Sequence, residues 1–189
     1  MLRIVGLSVA LLFAGSPAMA HSGHAASGFA HPFTGIDHLL AMVGTGMWAA
    51  FLATKRPSAA YLVPLAFVTM MALGAAAGFA GTKLPFVEAG IVASVFLVGG
   101  LAAAAVRLPV NIAMIVVGLF AILHGYAHAL EAPGSDTGRY VLGFLLATAA
   151  LHAIGLGLGM AAQRLVGDFG MRTLGGLIVA GGAFILAAH

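Results

Sequence analysis

From Gly35 to the C-terminus the chain is a succession of apolar runs, each long enough to cross the roughly 30 Å hydrocarbon core of a bilayer. The runs occupy about 35–54, 59–80, 86–106, 109–130, 139–162 and 170–188. Short breaks separate them: Thr54-Lys55-Arg56-Pro57, Gly81 to Pro85, Arg107-Leu108-Pro109, Ala132 to Asp136, and Gln163 to Arg172. In lipid only helices or closed barrels satisfy their own backbone groups. The runs lack the two-residue alternation of a barrel strand, so helices remain. Composition agrees: 62% of the 189 residues are hydrophobic and 7% charged, against about 25% charged in a soluble domain. The expected fold is all-α, a polytopic membrane helix bundle of six transmembrane helices forming one domain over 21–189.

Residues 1–20 are set apart from that domain. A basic start at Arg3, an apolar stretch from Ile4 to Ala14, and Ala18-Met19-Ala20 match the layout of a cleavable signal peptide. Such a leader places the mature N-terminus outside the cytoplasm. The loops that then face inward carry Lys55, Arg56, Arg107, Arg164 and Arg172, and the outward loops only Lys83 and Arg139. This asymmetry, which played no part in placing the helices, follows the positive-inside rule. It puts both mature termini in the periplasm and the chain in the inner membrane of a bacterium.

What the composition lacks narrows the chemistry. With eight Lys and Arg and a net charge of +3, the chain has no basic patch for nucleic acid. It has no Cys, hence no disulfide and no thiolate ligand. No P-loop occurs, so ATP hydrolysis is not expected. The glycine pairs Gly74 and Gly78, and Gly155 and Gly159, sit at spacings that let membrane helices pack closely.

The informative residues are those that are costly in a membrane. Imidazoles and carboxylates within spans are rare and usually functional. One group, His31-Pro32-Phe33-Thr34-Gly35-Ile36-Asp37-His38, enters the first span, with Pro32 and Gly35 suited to a turn and Asp37 favoured by the helix N-terminus. A second closes the fourth span, where His124 and His128 are helical neighbours and Glu131 follows three residues on. An i, i+4 histidine pair beside a carboxylate is a recurring way for a helix to hold a divalent metal. Under the expected topology both groups, and Glu88 in the third span, lie near the outer face. His152, deep in the fifth span, is either a further relay or a histidine bonded to a neighbouring carbonyl. His21 and His24, at the start of the mature chain, could chelate a metal weakly or belong to a simple tail.

Two motifs, His31-x5-Asp37-His38 with Ala41-Met42, and His124-Gly125-x-Ala127-His128-x-x-Glu131, make the chain resemble the HupE/UreJ family of small nickel permeases. The resemblance covers nearly all of the mature chain. Leu123 and Ala129 stand where that family usually has Phe and a second Gly, and neither change removes a ligand. The resemblance implies a non-enzymatic membrane protein, serving hydrogenase or urease, that takes up a divalent ion. It implies Ni2+, with Co2+ next, as cargo and no permanent cofactor. It carries metal-ligand roles over to His31, Asp37, His38, Glu88, His124, His128 and Glu131. Two other classes compete. A membrane-bound metallochaperone would bind nickel without moving it, and a haem protein would want histidines free of adjacent acids.

Overall fold

The computed structural model describes residues 24–133 and 136–188. Seven helices account for nearly all of them: α1 (His24–Thr34), α2 (Ile36–Ala53), α3 (Ala59–Phe79), α4 (Val87–Ala103), α5 (Val110–Leu130), α6 (Thr137–Val166) and α7 (Asp168–Ala188). No strand occurs among the described residues. Five of the helices, α2, α3, α5, α6 and α7, are long and apolar enough to cross a membrane, and α4 is a shorter apolar helix of 17 residues. The chain is a multi-pass membrane helix bundle. The expected signal peptide, and His21 with it, lies outside the described residues.

The distribution of polarity is inverted relative to a soluble protein. Leu65, Leu73, Ile115, Leu119, Leu146 and Phe184 are exposed on the outside, whereas His38, Ser94, His124, His128, Thr148 and His152 are buried. Helix α2 is the axis of the bundle: it touches each of the other six helices and buries the largest share of its length. Around it α3 packs along α5, α6 along α2, and α7 against α4.

Lipid tails are as apolar as leucine, so these contacts depend on close backbone approach rather than on hydrophobic exclusion. Where α2 crosses α6, a Cβ added to Gly155 would overlap the carbonyl oxygen of Val43, and one added to Gly46 would overlap that of His152. Gly74 and Gly125 seat α3 on α5 in the same way, against Ile122 and Met71. At the end of the bundle remote from His38, Arg107 reaches Asp168 at 3.1 Å and covers the Phe51 ring at 3.9 Å. Trp48 donates its indole N–H to the Val106 carbonyl beside it, at 3.0 Å. These bonds tie the α4–α5 connection to α2 and α7.

Two local expectations differ from the structure. Residues 24–34 form a helix, α1, packed on α6, rather than a mere approach to the first span. Only Gly35, extended at φ −88° and ψ 114°, interrupts α1 and α2. The break expected from Gln163 to Arg172 shrinks to Gly167, whose φ of +62° lets the chain reverse within one residue. The amide of Gly167 still bonds the Gln163 carbonyl at 3.1 Å, so α6 runs to Val166.

Gly155→Ala is expected to destabilise the bundle by about 1–3 kcal/mol through overpacking against Val43. Gly157→Ala, which meets nothing within 4 Å, is the control. Thermal unfolding of the two variants in detergent checks this: a lower Tm for the first only is the expected result.

Candidate metal centre

Three chain segments deliver imidazoles to one end of the bundle. Gly35 ends α1 and starts α2, which turns His38 inward in the first turn of α2. His124 and His128 occupy the last two turns of α5, on its buried face. His31, in α1, closes over them. The rings form a chain in space, with centroid separations of 5.0 Å from His31 to His128, 4.9 Å from His128 to His38, and 4.8 Å from His38 to His124. His31 and His38 are therefore brought together by the bend at Gly35 and not by one continuous helix.

The carboxylates take different places. Glu131 follows the last residue of α5 and meets His31 Nε2 at 2.6 Å, a contact between residues 100 apart in sequence. Ligand-type atoms of His31, His128 and Glu131 all lie within 4.8 Å of one another. Exposure falls across this trio, from exposed Glu131 through half-buried His31 to fully buried His128. Asp37 instead holds a neighbour: its Oδ1 accepts the His38 backbone N–H at 2.7 Å and meets His38 Nδ1 at 2.9 Å. A carboxylate accepting the Nδ1 proton leaves the lone pair of His38 on Nε2, the arrangement that orients a metal-binding histidine.

His124 is oriented by a residue that sequence reading passed over. Ser94 on α4 bonds the Ile91 carbonyl at 2.6 Å and lies 3.0 Å from His124 Nε2. A serine has one proton to give. With that proton on Ile91 O, Nε2–H of His124 must donate to Ser94 Oγ, which leaves the lone pair on Nδ1. His128 is fixed differently, stacked on Phe144 at 4.7 Å with an interplanar angle of 6°. The result is a set of buried nitrogens with no hydrogen-bond partner: His38 Nε2, His124 Nδ1, and both nitrogens of His128. Buried polar groups are normally paired, and each orphan calls for a reason. A cluster of neutral imidazole lone pairs behind two carboxylates is a donor set suited to a divalent transition metal.

The remaining expected residues are placed as follows. Glu88 is exposed in the first turn of α4, and among the described residues it is not part of the His31–His128–Glu131 group. His152 is buried in α6, edge-on to Phe67 at 4.9 Å, deeper than the cluster. His24 is the first residue of α1. Besides Ser94, sequence reading missed Tyr126, whose hydroxyl donates to the Thr82 carbonyl at 2.7 Å and accepts from Leu84 N–H at 3.4 Å, pinning the α3–α4 loop at this end. A serine or tyrosine inside an apolar run is the signal that marks such residues.

Residues 9–185 match the family described as HupE / UreJ protein. The chain belongs to the HupE/UreJ family. Protein HupE from Rhizobium leguminosarum bv. viciae is 42% identical to it over 167 residues, covering 88% of this chain and 86% of that protein. No solved structure matches the chain. The HupE/UreJ match spans every helix that contributes to the histidine cluster.

In 15N-histidine-labelled protein, His124 is expected as the Nε2–H tautomer and Ser94→Ala is expected to erase that preference. Solid-state 15N shifts read this directly. A protonated Nδ1 on His124 in the parent protein would contradict the proton assignment.

Proposed function

We propose that this HupE/UreJ protein is a secondary permease that carries a divalent transition metal ion, Ni2+ foremost, from periplasm to cytoplasm for the maturation of a nickel enzyme such as hydrogenase or urease. The observation that carries the reading is the group of partnerless buried nitrogens on His38, His124 and His128 at one end of a membrane bundle. In this reading Glu131 and His31 meet the hydrated ion, and His128, His38 and His124 exchange imidazole for water as it descends. Asp37 orients His38 and offsets charge. Glu88 stays a candidate ligand through the family resemblance and its position at the start of α4.

The topology proposed with it has six spans. Helix α4, 17 residues or about 26 Å long at 1.5 Å per residue, nearly matches the hydrocarbon thickness and completes the count. Residues 1–20 act as a cleaved leader. The end bearing Lys55, Arg56, Arg107, Arg164 and Arg172 faces the cytoplasm, so the histidine end and both mature termini are periplasmic. An inside-negative potential drives a 2+ ion inward by about 4.6 kcal/mol per 100 mV, twice the single-charge value. No nucleotide is then required.

Uptake of radiolabelled nickel into proteoliposomes tests the reading. The parent protein is expected to accumulate nickel, with excess Co2+ the strongest competitor. His128→Ala is expected to slow uptake by more than about tenfold, the scale on which even outer partners of a metal site matter, while still inserting into membranes. Binding without accumulation by the parent would leave a metallochaperone in its place.

Orientation has its own check. Alkaline phosphatase fused after His189 is expected to be active in cells, and the same enzyme fused within the Lys55-Arg56 loop inactive.

A further inference from the structure

Directly below the histidine cluster the bundle interior changes character. Thr148 on α6 is fully buried, and its hydroxyl lies 3.4 Å from the sulfur of Met42 on α2 and 3.4 Å from that of Met71 on α3. Both methionines are themselves fully buried. Met42 is one helical turn beyond His38, and His152 one turn beyond Thr148, so each pair shares a helix face. The Phe67 ring lies 5.6 Å from His124 and 4.9 Å from His152, between the outer cluster and the deeper imidazole. Nε2 of His152 is buried without a hydrogen-bond partner. No Asp or Glu is buried here among the described residues.

We propose that Met42, Met71 and His152 form an inner metal station, with Thr148 as the residue that holds the two sulfurs in place. This rests on the permease reading above and extends it to selectivity. Two thioethers and one imidazole are neutral, soft-to-borderline ligands; they accept Ni2+, Co2+ or Cu+ and reject Mg2+, Ca2+ and Mn2+, which prefer oxygen. The outer trio of two imidazoles and one carboxylate already favours transition metals, and the inner thioethers sharpen that preference. A hard ion that binds Glu131 or Asp37 finds no oxygen anion at the depth of Thr148. A threonine hydroxyl has one proton to share between two sulfurs, so either thioether can leave it for a metal while the other keeps the bond.

The test uses full-length protein labelled with 13C at the methionine methyls, in detergent micelles, titrated with Ag+, a diamagnetic ion that seeks thioethers. Met42→Leu and Met71→Leu, which nearly conserve volume, assign the two signals. Both methyls are expected to shift on adding Ag+, in the parent and equally in His128→Ala, while the remaining methionine methyls stay in place. In liposomes the Met42→Leu/Met71→Leu double variant is expected to take up nickel at least about tenfold more slowly, with nickel binding at the outer cluster retained. Methyls that do not move at saturating Ag+, or a double variant with parental uptake, would overturn the inner station. A parent that accumulates no nickel, but whose two methyls still respond to Ag+, would refute transport and leave the thioether site standing.

Discussion

Helices in a bilayer gain nothing from hiding leucine from lipid, so this bundle depends on how closely its backbones can approach. The closest approaches are also the ones that position the buried histidines. Gly125 lies between His124 and His128 and seats α5 against the Met71 carbonyl of α3. Gly46 and Gly155 seat α2 on α6, next to His152. A side chain at Gly46 or Gly155 would push α2 from α6 and separate Met42 from Thr148, and one at Gly125 would displace the His124–His128 turn of α5 from α3. Packing and ligand geometry are thus one constraint, imposed by the same few glycines.

A second consequence concerns polar groups. In a low-dielectric interior an unpaired imidazole nitrogen costs about 1–3 kcal/mol. The bundle satisfies one nitrogen of His38 through Asp37 and one of His124 through Ser94, and leaves the other nitrogen of each unpartnered. Aliphatic residues of similar size would avoid that cost. The paired nitrogens fix each ring, and the unpaired ones hold their lone pairs in the interior. On the proposed reading, the ion provides the missing interaction.

Much of this was legible in the sequence because the bilayer simplifies the code. Continuous apolar runs gave helices whose observed ends mostly lie close to those expected, as for α3 and α5. The His124–His128 spacing placed both rings on one buried face, since i and i+4 are neighbours on any helix. What escaped was local or long-range. Helix α1 is too short and polar to register as a span, and Pro32 and Gly35 suggested a turn. The contact of Asp37 Oδ1 with His38 Nδ1 is a side-chain geometry that adjacency in sequence does not specify. For Glu88 the place in its apolar run sets a depth, at the start of α4, but not which way that helix face points. The Thr148–Met42 contact joins residues 106 apart, and no spacing rule reaches that far.

The ligands also change in an ordered way along the bundle, and the order bears on how a carrier could work. The carboxylate of Glu131 is the most exposed group, part-buried His31 and Asp37 follow, and the buried imidazoles, the two thioethers and His152 lie behind them. A site that attracted a divalent ion through carboxylates at every depth would hold it too firmly to release. Conduction requires binding strong enough to admit the ion and weak enough to let it leave. Among the described residues no carboxylate is buried beside Met42, Met71 and His152, so on the proposed reading electrostatic attraction declines inward as the candidate ligands become softer. On the proposed reading the outer charge governs how readily an ion is captured, and ligand softness governs which ion proceeds. Separating these two tasks by depth is how, on that reading, a chain with no thiolate and only five acidic residues would combine capture with discrimination.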